Sequence, residues 1–92
     1  METGRKTVGV TAVALVSSQS VRGNTGVEIY SDAANEGVIY VGSRSTVTAN
    51  SADATDGFPI AAGKSILIPI RNPNDIYVIA SEASQKIWWM IV

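Results

Sequence analysis

The sequence predicts an all-β fold: a single-domain antiparallel β-sandwich, jelly-roll-like, built from seven or eight short strands. Three observations lead there. β-branched and aromatic residues gather in short runs separated by clusters of Gly, Asn, Asp, Ser and Pro, the pattern of strands joined by turns. No stretch repeats apolar residues at the three-and-four spacing of an amphipathic helix, so nothing is available to cover the crossovers of a parallel sheet. The chain has 92 residues, 46% hydrophobic and 16% charged, which is enough apolar material for one core and too little charge for a disordered chain.

Each element follows from local chemistry. Met1 to Lys6 form a polar, basic lead, expected to be a flexible arm ahead of a domain spanning 7–92. The first strand is expected over Thr7 to Val16, with Val8, Val10, Ala12 and Ala14 on one face. Arg5 and Lys6 ahead of this apolar stretch imitate a secretory signal, but Gly9 and Thr11 interrupt it and the period of two belongs to a half-buried strand. Ser17 to Gly26 is a loop whose Arg22-Gly23-Asn24-Thr25-Gly26 suits positive φ. Val27-Glu28-Ile29-Tyr30 and Val38-Ile39-Tyr40-Val41 are strands flanking a polar turn, and are expected to pair as a hairpin.

Val47 anchors a short strand, and Thr48 to Gly57 is a polar loop. Pro59 between Phe58 and Ile60 predicts an edge strand, or a loop anchored by the aromatic ring, because proline cannot donate to a central ladder. Ala61-Ala62-Gly63-Lys64 turns the chain. Ser65 to Ile70 is again placed at an edge or a bulge by Pro69. Arg71-Asn72-Pro73-Asn74-Asp75 is a turn fixed by the proline ring and by Asx hydrogen bonds. Ile76 to Ala80 and Ile87 to Val92 complete the strands, with polar Ser81 to Lys86 between them.

Composition excludes several kinds of activity. Seven Lys and Arg against eight Asp and Glu, scattered singly, give a net charge of -1 and no basic stripe to follow a phosphate backbone, so nucleic acid is not an expected partner. There is no cysteine and no histidine, which removes thiolates, disulfides and the usual ligands of transition metals and bases near neutral pH. Carboxylates scattered over turns offer no preferred catalytic pair. Gly63-Lys64-Ser65 has the ending of a phosphate loop, yet Phe58 stands where its first glycine belongs. Asn50, Asp53 and Asp56 lack the alternating spacing of a calcium loop. The chain is therefore read as a non-enzyme without cofactor or metal. No run approaches the roughly 20 apolar residues of a membrane-spanning helix.

Ile87-Trp88-Trp89-Met90-Ile91-Val92 is the segment richest in information, because a half-buried strand leaves one face polar and here neither is. Either the domain covers both faces, or one face, Trp88 with Met90 and Val92 or Trp89 with Ile91, meets another subunit, where Trp and Met are enriched. Trp88, Trp89, Met90 and Val92 are thus candidate interface residues. A chain of this size without disulfides is also expected to gain stability by oligomerising. Tyr30, Tyr40 and Tyr77 lie on strands, as cross-strand packing or, with a Trp, as a platform for a sugar ring.

The order of "IYVG" at Ile39 to Gly42, then Gly57-Phe58-Pro59-Ile60-Ala61-Ala62-Gly63-Lys64-Ser65, then "IYVIAS" at Ile76 to Ser81 resembles small β proteins of tailed-phage particles: capsid decoration, cement and head-fibre proteins. The resemblance spans roughly Val27 to Val92 and rests mostly on turn chemistry and strand alternation. It implies a jelly-roll-like sandwich, commonly a homotrimer, that sits on the outer capsid surface of a virion and bridges copies of the major capsid protein, with no catalytic residues. Arg5 and Lys6 would then grip an acidic shell. A fibre or tail-attached module, and a carbohydrate-binding module for host attachment, are the alternative readings.

Overall fold

The computed structural model describes residues 2–16, 26–49, 56–70 and 75–92. Among these residues there are eight strands: β1 (Glu2–Val8), β2 (Val13–Ala14), β3 (Val27–Ser31), β4 (Ile39–Gly42), β5 (Phe58–Ile60), β6 (Ser65–Ile68), β7 (Tyr77–Ala80) and β8 (Gln85–Ile91). No α-helix occurs among the described residues. The strands form two four-stranded sheets, sheet A in the order β1-β8-β3-β6 and sheet B in the order β2-β7-β4-β5. All pairings between these strands are antiparallel.

The pairing has a simple logic. β1 pairs with β8, β2 with β7, β3 with β6 and β4 with β5, as if the first half of the chain were laid antiparallel along the second. Rolling that long hairpin over brings β8 against β3 and β7 against β4. Eight strands so wound are the two interlocked Greek keys of a jelly roll. The sandwich expectation holds, with eight strands among the described residues, although the short strand expected at Val47 is absent and only an isolated bridge joins Thr48 to Asp56.

Period-two alternation decides what lies between the sheets. On β3, Val27, Ile29 and Ser31 are buried while Glu28 and Tyr30 point outward. On β8, Gln85, Ile87 and Ile91 are buried, and Trp89 packs partly buried against the same core. Sheet B contributes Ile39, Val41, Ile60, Val78 and Ala80 to one continuous cluster. Each fully buried aliphatic side chain there contributes roughly 1.5–3 kcal/mol.

Several sequence expectations are corrected. Residues 2–6, expected as an arm outside the domain, are the start of β1 and pair with β8 from Glu2 opposite Ile91 to Lys6 opposite Ile87. Such pairing satisfies their backbone, which a free arm leaves to water. The single strand expected over Thr7 to Val16 is two strands in different sheets. Val8 is buried in sheet A, whereas the Gly9 carbonyl accepts from the Ala80 amide of sheet B (2.8 Å), so the chain changes layer at Gly9 and Val10 is left exposed. β3 and β4 do not form a hairpin either, since they lie in opposite sheets. Phe58 is 62% exposed and anchors nothing, while Ile60 enters the core. The edge placements made from Pro59 and Pro69 agree with the structure, where β5 and β6 are outer strands.

Turns are held by side chains as well as backbone. Asp32 starts an Asx turn, its Oδ1 accepting from the Ala34 amide (3.1 Å). The Asn35 amide then engages both sides of the Lys86 peptide, donating to its carbonyl (2.7 Å) and accepting from its N–H (2.8 Å). Gly63 takes φ +79° in the turn before β6, a conformation open to glycine, and its amide donates to the Ser31 carbonyl (2.8 Å). The turn at Arg71 to Asn74 lies outside the described residues, as does the loop at 17–25.

Candidate functional site

The outer faces of the two sheets are built differently. On sheet B, Tyr40 and Ile79 form a second buried cluster with Val47, and Ala49 packs against it. This cover is pinned by Thr48, whose Oγ1 donates to Asp56 Oδ1 (2.7 Å) and whose carbonyl accepts from the Gly57 amide (3.1 Å). The chain shields this face itself. Tyr40 and Tyr77 are accounted for as packing groups.

Sheet A carries no comparable cover among its described residues. Its outward positions are Thr3, Arg5 and Thr7 on β1, Lys86, Trp88 and Met90 on β8, Glu28 and Tyr30 on β3, and Ser65 and Leu67 on β6. Trp88 is 45% exposed, Tyr30 37% and Leu67 59%. Trp88 stands at the centre, with Arg5 opposite on β1 and Tyr30 opposite on β3. The Arg5 guanidinium lies over its ring, 5.5 Å from the centroid, within cation–π range. Arg5, Trp88, Met90, Glu28, Tyr30 and Ser65, with Thr3, line an open groove of ≈ 450 Å³. Ser65 donates to Glu28 Oε2 across the β6–β3 pair (3.2 Å).

The four interface candidates therefore divide. Trp88 and Met90 share the outward face, and Val92, 41% exposed, continues it beyond the strand. Trp89 belongs to the opposite face, against the core and over Gly4, its cross-strand partner. A Cβ at residue 4 would fall on the indole, so glycine there makes room for the ring. Of the two basic residues assigned to a capsid contact, Arg5 lies in the aromatic face, while Lys6, one residue on, occupies the other side of β1. One flat patch cannot use both.

Sequence reasoning named Arg5, Trp88, Met90 and Tyr30 on this face and missed its polar members and Leu67; among these, Glu28 and Ser65 line the groove. Glu28 alternates with buried Val27 and Ile29, and Leu67 with the partly buried Ile66 and Ile68, but only the β3–β6 register sets the two beside each other and only the β3–β8 register sets Glu28 beside Met90. Among the described residues no group of three or more acidic side chains is arranged to hold a metal. Asn50 and Asp53 of the weighed calcium loop lie outside the described residues, and Asp56 accepts from Thr48. Chemically the groove offers apolar contact, aromatic edges, one cation and one anion. No protein-family model, curated protein or solved structure matches the chain.

Proposed function

We propose that this chain is a non-enzymatic structural protein of the tailed-phage virion, a capsid decoration or cement protein that binds the outer surface of the shell as an oligomer. The observation that carries the reading is the bare aromatic face of sheet A, an adhesive surface on an otherwise self-covered sandwich. Exposed apolar patches of this kind mark contact sites on small soluble domains. Jelly rolls recur in viral capsid and lectin domains, so the fold suits the reading. The motifs between Val27 and Val92 that resemble phage surface proteins add to it.

The mechanism is linkage. A protein that binds the assembled shell and not its free subunits stabilises the shell by mass action, in proportion to the logarithm of its concentration over its dissociation constant. The test is to mix purified protein with empty capsids built from the major capsid protein encoded in the same genome. Saturable binding at a fixed ratio, with a raised disruption temperature, is expected; capsids that neither bind the protein nor gain heat resistance would refute the proposal. A second reading, sugar binding for host attachment, is favoured by Trp88 lying beside Arg5, Glu28 and Ser65 in one groove. A glycan array decides that reading separately.

A further inference from the structure

We propose that the Asp56-Gly57 pair is the site of a spontaneous backbone modification, isomerisation of Asp56 to an isoaspartyl residue, and that Thr48 restrains it in the folded chain. The inference goes beyond the functional reading and does not depend on it.

The reactivity belongs to the dipeptide. The amide nitrogen of a glycine can attack the side-chain Cγ of a preceding aspartic acid, because no Cβ hinders the approach and the glycine backbone turns freely. A new N–Cγ bond closes a five-membered succinimide, and the amide hydrogen leaves with the carboxyl OH as water. Water then adds to the ring. Attack at Cγ breaks the new bond and restores Asp56; attack at the main-chain carbonyl of Asp56 breaks the original peptide bond and leaves the chain running through Cγ. The mass is unchanged, and solvent water is the only co-reactant. Asp56-Gly57 is the single Asp-Gly pair of the sequence, which contains no Asn-Gly.

The fold calls for both halves of this pair. A Cβ at residue 57 would lie 2.6 Å from the Val41 carbonyl oxygen and 2.8 Å from Val47 Cγ2, so close packing against β4 requires glycine there. Asp56 is the acceptor for the Thr48 hydroxyl, whose Oγ1 donates to Oδ1 (2.7 Å). The same neighbour restrains both reacting groups. The Gly57 amide, the nucleophile, donates to the Thr48 carbonyl (3.1 Å), while the Asp56 carboxyl, the electrophile, is held by the Thr48 hydroxyl. A parallel bridge between Thr48 and Asp56 fixes the backbone as well. Ring closure requires the amide to give up its proton and the carboxyl to swing over the nitrogen. Both bonds oppose this, so the reaction proceeds from locally opened states.

The modification would be felt in sheet B. It adds one carbon to the main chain just ahead of β5, where Ile60, buried in the core, pairs with Ile39. It also disturbs Gly57 where that residue packs on Val47, part of the cover over Tyr40 and Ile79.

The test incubates the full chain at neutral pH and physiological temperature, folded and in urea, and follows isoaspartate at residue 56. Enzymatic methylation by an isoaspartyl methyltransferase and fragmentation mass spectrometry of the peptide measure it. Folded wild type is expected to react at least about tenfold more slowly than the unfolded chain. Thr48→Val keeps the branched side chain and the backbone carbonyl but loses the hydroxyl, and should speed the folded reaction roughly tenfold. Thr48→Ser restores the hydroxyl and should return the rate to within about threefold of wild type. In urea all three chains should react alike, and circular dichroism confirms that the variants keep their fold. Equal rates for folded and unfolded wild type would overturn the proposal without recourse to any variant. So would an unfolded chain that forms no isoaspartate at residue 56, a folded Thr48→Val chain as slow as wild type, or a Thr48→Ser chain as fast as Thr48→Val.

Discussion

Asn35 replaces a missing strand partner, and its removal gives a worked test of how this sandwich is held. Its side chain makes three hydrogen bonds: to the Lys86 carbonyl (2.7 Å), from the Lys86 amide (2.8 Å) and to Ser31 Oγ (3.0 Å). The Lys86 groups are exposed, so water can take over part of those two bonds on substitution by alanine. Ser31 is fully buried, and its hydroxyl loses its Asn35 partner where water does not reach. The exposed bonds cost about 0.5 kcal/mol each and the stranded hydroxyl about 1–2 kcal/mol, for a total of roughly 2–3 kcal/mol. For a domain of this size that lowers Tm by roughly 8–20 °C. Thermal and urea unfolding followed by circular dichroism measure it for Asn35→Ala, Ser31→Ala and the double variant. Because Ser31→Ala removes the group that Asn35→Ala strands, the double variant should lose about 1 kcal/mol less than the two singles together. Strict additivity, or an Asn35→Ala variant within about 0.5 kcal/mol of wild type, would show that the loop is not tied to β8 as described.

Two further substitutions probe the layers. Gly4→Ala should cost about 1–3 kcal/mol and change the near-ultraviolet circular dichroism, because the new methyl group collides with the Trp89 indole and forces it off its rotamer; an unaltered tryptophan signal would place the ring elsewhere. Ile87→Ala should cost about 2–5 kcal/mol, whereas Phe58→Ala should stay within about 0.5 kcal/mol, since the first is fully buried and the second 62% exposed; chemical denaturation giving comparable losses for both would refute the assignment of β5's exposed end.

Much of this fold is legible locally. The alternation Val27-Glu28-Ile29-Tyr30 identifies β3 and its faces correctly, because side-chain direction along a strand is set by the backbone alone. Pro59 and Pro69 place their strands at edges because a missing N–H is equally local. The hairpin expected from β3 and β4 fails for a different reason. The turn between them is bound to Lys86 through Asn35 and hands the chain to the other sheet, and a partner 51 residues away leaves no mark on the turn's own composition. Likewise, apolar alternation runs unbroken through Gly9, so the change of layer there is invisible until Ala80 claims the Gly9 carbonyl. Gln85, read as part of a polar spacer, is a buried strand residue that accepts from the Gly37 amide (2.8 Å).

The candidate site divides in the same way. By itself the sequence determined that the chain is all-β, that it has no cysteine or histidine, and that Trp88 and Trp89 fall on opposite faces of an unusually apolar strand, since these follow from composition and from a period of two. Only the tertiary structure decided which face is wet. Trp89 turns inward because Gly4 leaves room for its ring over the β1 edge, and Trp88 is left outside with Arg5, Tyr30 and Glu28 gathered around it from strands β1 and β3. Register and sheet order are properties of long-range pairing, fixed by the free energy of the whole core. No short stretch of sequence can encode them alone.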